Sequence, residues 1–229
     1  MKKVLPLTYW SKIRLLAMRN ISTIDKWLLN LDEAIRTTAG NLAADSDADV
    51  WRNNDAPTLS TEQKRLSSSL MRVNHCGEVC AQALYSGQAI TSRSPDIKDH
   101  MRAAAEDERQ HLVWCQNRIS ELDSHVSYLN PIWFTASFIT GMATGLMGDA
   151  INLGFVAATE EEVCKHLDKH IELLPEEDQK SKAILGAMRD DEMRHSETAL
   201  AHGGRRFPSS IRKVMTAMSG LMTKTTFWI

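Results

Sequence analysis

Asp107-Glu108-Arg109-Gln110-His111 and Asp191-Glu192-Met193-Arg194-His195 repeat one pattern, Asp-Glu-x-x-His, within a chain of 229 residues. Positions three apart on a helix are surface neighbours, so each copy stacks a carboxylate and an imidazole on one face. Apolar residues continue that face in both directions: Met101, Ala104, Ala105, Leu112 and Cys115 around the first copy, Ile184, Leu185, Met188 and Ala199 around the second. Spacings of three and four mark amphipathic helices. Glu108, His111, Glu192 and His195 therefore interrupt stripes that otherwise face a core.

Two more stripes carry one acid each. Leu70, Ala81 and Tyr85 lie on the side of Glu78, while Val156, Val163, Cys164, Leu167 and Ile171 line up with Glu160. Glu108 follows Glu78 by 30 positions and Glu192 follows Glu160 by 32, which is one helix up, a turn and one helix back. At about 1.5 Å per residue, such hairpins return the second acid to the depth of the first. Four carboxylates thus point into a core, where an unpaired one costs several kcal/mol or takes up a proton. Two divalent cations would neutralise four glutamates and two neutral histidines. One Glu from each of two helices plus Glu-x-x-His from each of two others is the pattern of di-iron and di-manganese carboxylate bundles. Oxygen-rich ligation with two imidazoles favours iron or manganese over a structural zinc site.

The neighbouring groups are weighed in the same way. Asp107 and Asp191 are read either as partners that orient the histidines across the bundle or as solvated helix acids. Glu161, Glu162, Glu106 and Asp190 are read as surface charge. His75, His166 and His170 are read as core or surface histidines, His75 being close enough to Glu78 to support it.

The remaining segments are helical, without convincing strand alternation. Ser60 and Gln63 form a capping-box pattern ahead of a helix over residues 61–91, and the next fits 95–122. Residues 131–148 contain no charge, and further helices fit 150–174 and 176–202, the last ending at Gly203 and Gly204. Pro208 opens a final amphipathic stretch. The expected fold is all-α, four core helices with additional hydrophobic and amphipathic helices around them. The expected organisation is an N-terminal appendage and polar linker over 1–60, a bundle over 61–205 that includes the hydrophobic helix 131–148, and a basic amphipathic segment over 206–229.

Composition excludes some classes. A hydrophobic share of 43% supports a sizeable core, and a net charge of −2 gives no drive toward nucleic acid. Cys76, Cys80, Cys115 and Cys164 sit in apolar helical patterns and read as reduced thiols. The uncharged run is short and diluted by Thr, Ser and Gly for a span of about 20 apolar residues. It reads as a buried core helix, or as a helix in the membrane interface with Trp133 and Phe134 near one end. Arg205, Arg206, Arg212, Lys213 and Lys224, with no acid beyond Glu197, would then help hold anionic headgroups.

At Asn74-His75-Cys76-Gly77-Glu78, Asp107-Glu108-x-x-His111, Asn130-Pro131, Gly154-Phe155-Val156-Ala157-Ala158-Thr159-Glu160 and Asp191-Glu192-x-x-His195, the chain resembles the Coq7 family of demethoxyubiquinone hydroxylases. The resemblance runs from about residue 60 onward and is closest to the bacterial branch, with a similar Met-Thr-Lys-Thr-Thr ending at 222–226. It implies a ferritin-like bundle holding two iron ions per chain. Glu78 and His111 would serve one iron, Glu160 and His195 the other, and Glu108 and Glu192 would bridge. It further implies O2-dependent hydroxylation of a polyprenyl quinone, with NADH a candidate electron donor and no Rossmann fingerprint to bind it. Such an enzyme is expected at the cytoplasmic face of a bacterial inner membrane, as a peripheral protein, as a homo-oligomer or with a partner that presents the quinone. Two other readings compete: a ferroxidase or peroxide-reducing protein with the same ligands, and a metal-free helical scaffold whose inward acids pair with Arg or Lys.

Overall fold

The computed structural model describes residues 37–38 and 58–229, all within the second of two compact units, 36–229. The expected N-terminal appendage and most of the linker lie outside these residues. Thr37 is held against the bundle, its hydroxyl donating to Gln82 Oε1 at 2.5 Å.

Among the described residues from 58 onward there are six helices: α1 Thr61–Thr91, α2 Pro95–Glu121, α3 Asn130–Leu146, α4 Asp149–Leu173, α5 Gln179–Ala201 and α6 Ser209–Trp228. No strand occurs among the described residues. The capping box forms as read, with the Gln63 amide donating to Ser60 Oγ and the Ser60 amide to Gln63 Oε1. Proline opens α2. The expected start of α5 at residue 176 is too early by three residues. Asp178 turns back on Pro175, and its carboxylate accepts from the Ser181 amide and the Arg118 guanidinium, so it caps the helix from outside.

Two apolar clusters fix the helix directions. One contains Leu70 and Met71 of α1, Cys115 and Ile119 of α2, Leu167 of α4, and Ile184, Leu185 and Met188 of α5. The other contains Tyr85 of α1, Met101 of α2, Val156 of α4 and Ala199 of α5. Along the chain, α1 and α5 run from the first cluster to the second, and α2 and α4 run back. Because α2 and α4 are parallel, the chain must return the length of the bundle between them, and α3 is that return stroke, about 25 Å long at 1.5 Å per residue. The architecture is an all-α, ferritin-like bundle of two hairpins joined by a crossover helix.

The crossover packs very closely on α1. A Cβ at Gly141 would lie 2.1 Å from the Leu84 carbonyl oxygen, and one at Gly87 2.3 Å from that of Phe138. Glycine is what lets the two backbones meet. Only Asn130, Gly141, Thr144 and Gly145 of α3 are buried. Ile132, Ile139, Leu146 and Met147 on its other side are each 60–64% exposed, so α3 is not the buried core helix that one reading expected. Among the described residues no helix is long and apolar enough to cross a membrane.

A candidate metal centre in the bundle

Between the two apolar clusters lies a single polar layer. Glu78 comes from α1, Glu108 and His111 from α2, Glu160 from α4, and Glu192 and His195 from α5. All are buried except His195, which is partly exposed. All six expected residues therefore meet.

Their arrangement is nearly two-fold. His111 Nδ1 lies 3.1 Å from Glu108 Oε2 and 3.0 Å from Glu192 Oε1. His195 Nδ1 lies 3.3 Å from Glu108 Oε1 and 3.3 Å from Glu192 Oε2. Each of these glutamates thus offers one oxygen toward each histidine, the disposition of a carboxylate able to bridge two cations. Glu78 sits on the His111 side, its Oε2 3.8 Å from Nδ1. Glu160 reaches the layer from α4, interacts with Glu192 and accepts a hydrogen bond from the Tyr85 hydroxyl.

Helices α2 and α5 cross-brace the histidines. Asp191 on α5 lies 3.1 Å from His111 Nε2, and Asp107 on α2 lies 3.6 Å from His195 Nε2. Of the two readings of these acids, the one that orients histidines across the bundle describes their placement. A proton kept on Nε2 leaves the Nδ1 lone pair facing the layer, as ligation of a cation requires.

The electrostatics describe a site that holds protons where cations can go. Burial, together with neighbouring Glu192 and Glu108, pushes the Glu78 and Glu160 carboxyls well above their ordinary range. Burial would raise Glu108 too, but the close imidazoles of His111 and His195 outweigh it and bring Glu108 to about 2. Burial disfavours charged imidazoles, yet contacts with Glu108 and Glu192 lift His195 to about 10, and Asp191 and the glutamates lift His111 well above its ordinary value. Glu108 Oε1, Glu160 Oε2 and Glu192 Oε1 are buried without a hydrogen-bond donor in good geometry. Glu78, Glu108, His111 and Glu192 place ligand atoms within 4.8 Å of one another. The donor set and the orphaned oxygens fit cations in this layer. Among the described residues none of the four glutamates pairs with Arg or Lys, which removes the support for a metal-free scaffold.

Other histidines lie elsewhere. His170 Nδ1 is 2.7 Å from Asn74 Oδ1, and His166 Nε2 is 2.8 Å from the Ser219 hydroxyl. His75 is fully buried, and burial holds it at about 4; no hydrogen bond or ion pair joins it to the six. Glu161 is not simply solvated, since it pairs with Arg206 and Arg212 at 3.2 and 2.7 Å and neutralises part of the basic tail. Two residues of the layer escaped sequence reading. Tyr85 looked like core, and its place seven positions after Glu78, on the same face, was the available signal. Trp114, whose ring lies 5.4 Å from that of His111, follows it by three positions and was legible in the same way. A cavity of about 520 Å³ opens at the start of α1, and none of the six residues lines it.

An all-α bundle with a buried layer of four carboxylates and two imidazoles defines the ferritin-like carboxylate class. The family described as ubiquinone biosynthesis protein COQ7 matches residues 65–226, and the chain belongs to that family. It is 50% identical to the 3-demethoxyubiquinol 3-hydroxylase of Pseudomonas paraeruginosa over 216 residues, 93% of this chain and 99% of the relative. Proteins of the same name from Ectopseudomonas mendocina and Nitrosococcus oceani are 49% and 46% identical, each over 92% of this chain and 98% and 99% of their own.

Cation binding at this layer requires deprotonated ligands, so it must displace the protons held by Glu78, Glu160, His111 and His195. Adding Co2+ to the cation-free protein in weak buffer at neutral pH is expected to acidify the solution, and apparent affinity is expected to rise with pH. A pH-indicator dye reads the release; uptake with no proton release would contradict the assignment.

Proposed function

We propose that this chain, a hydroxylase of ubiquinone biosynthesis, uses a di-iron centre built from Glu78, Glu108, His111, Glu160, Glu192 and His195 to hydroxylate the ring of a demethoxy-polyprenyl quinol. The observation that carries the reading is the pair Glu108 and Glu192, each directing one oxygen to each histidine. When bound, two iron ions supply the electron transfer that O2 activation requires. The overall reaction places one atom of O2 on the ring as a hydroxyl and releases the other as water, with two electrons and two protons from a reductant, NADH being the candidate.

The protein's own residues hold and insulate the centre. Asp191 and Asp107 keep the imidazoles turned inward. Tyr85 donates to Glu160 and stays a neutral phenol, because burial and then the Glu160 charge push it well above its ordinary value. The apolar clusters on both sides limit access of bulk water and so strengthen every interaction in the layer.

A polyprenyl quinone is held in membranes, and the outward faces of two helices suit contact with one. Ile132, Ile139 and Leu146 on α3, Met147 at its end, and Ile211, Val214, Met218 and Leu221 on α6 are exposed, and both helices pack against α1. We assign the protein to the membrane surface as a peripheral enzyme, on the cytoplasmic face of a bacterial inner membrane, with these helices in the interface. A second copy or a quinone-presenting protein would share the same apolar surface.

Anaerobic reduction of the iron-loaded protein, followed by 18O2 and a short-chain demethoxyquinol, is expected to give a product heavier by one labelled oxygen atom. Iron oxidation with no labelled product would favour a ferroxidase. Flotation with anionic liposomes is expected to weaken several-fold in an Ile132→Ser/Ile139→Ser variant, whereas unchanged flotation would remove α3 from the membrane contact.

A further inference from the structure

The two halves of the centre differ in how they meet solvent. His111 is 2% exposed, with the Trp114 ring tilted beside it at 5.4 Å, while His195 is 17% exposed and is the one member of the six that is not buried. Two more histidines stand on that side. His100 precedes Asp107 on α2 by two turns, and His202, the residue that caps the end of α5, follows His195 by seven positions, so each lies toward the side of its inner neighbour. Their rings stack, with centroids 5.3 Å apart and planes 26° apart.

Chemistry fixes how one of them points. His202 Nδ1 lies 2.8 Å from the Thr198 carbonyl oxygen, which can only accept, so Nδ1 carries the proton and the Nε2 lone pair is left available. This is the arrangement by which second contacts prepare histidines for metals. His100 lies within electrostatic reach of His202, His195 and Asp107, and burial together with the two imidazoles holds it below its ordinary value, hence neutral near pH 7.

We infer that His100 and His202 form a capture site for divalent cations at the mouth of the centre, handing them inward through Asp107 and His195 to the buried glutamates. The inference rests on the di-metal reading and adds a route for loading it. Groups able to hold a cation multiply along that route, from two imidazoles to Asp107 and His195 and then to four glutamates, so an ion moving inward gains ligands as it displaces their protons. The surface pair binds weakly by design of its ligand count, two nitrogens and water, and the interior retains.

The test follows Co2+ uptake by the cation-free full-length protein, using the absorbance of bound Co2+ in a stopped-flow instrument and metal analysis for the end point. Wild type is expected to reach two ions per chain. A His100→Ala/His202→Ala variant is expected to reach the same end point about tenfold more slowly, the low end of what focusing an ion at a site mouth contributes to on-rates. His125→Ala, an exposed histidine after α2, should load at the wild-type rate. Equal rates in wild type and the double variant, or a reduced end point in the double variant, would overturn the capture site. Failure of wild type itself to bind two ions would instead sink the di-metal reading, and the missing end point distinguishes that outcome.

Discussion

Four carboxylates and two imidazoles at the mid-depth of a helical bundle impose the requirement that the rest of the structure meets. Each buried carboxylate costs several kcal/mol unless it is neutralised and hydrogen-bonded. The chain gathers them into one layer, so that a pair of cations, or in their absence shared protons, can offset all of them together. Apolar clusters close the layer on both sides, and α1, α2, α4 and α5 each contribute to both clusters and to the layer between them. Removing one acid would leave the others facing the same low-dielectric surroundings with a smaller counter-charge, which couples the six positions energetically.

Directions and connections follow from that layer. Two hairpins bring two ligand groups each to one depth, and parallel α2 and α4 demand a crossover, supplied by α3. The crossover contributes no group to the centre. Its inner side is reduced to glycine at Gly141 and Gly145 so that it can lie against α1, and its outer side keeps isoleucine, leucine and methionine in solvent. One element thus satisfies the topology and leaves an apolar surface whose use is separate from the chemistry.

The legible parts of the sequence are those whose cause is local or periodic. Ser60 with Gln63, and Pro95 at the start of α2, announce helix ends through neighbours three residues away at most. The six layer residues are legible because period places acids on apolar stripes, and because spacings of 30 and 32 residues separate the acids of each hairpin. Contacts across long separations were not. Tyr85 donates to a carboxylate 75 residues on, and Glu161 meets Arg206 and Arg212 from a different helix, so the tail's lack of local acids overstated its free charge. The start of α5 was missed because Asp178 is held by Arg118, 60 residues away. Hydrophobicity along 131–148 gave no sign of which side would face inward; the close approach at Gly141 decides it.

The central claim is that Glu108 and Glu192 serve both cations of one centre. Anaerobic Fe2+ titration of wild type, Glu108→Ala and Glu192→Ala, with bound iron counted per chain, tests it most directly. Two ions in wild type and none retained in either variant is the predicted result. A variant that still holds one or two ions, in a fold otherwise intact by circular dichroism, would contradict it.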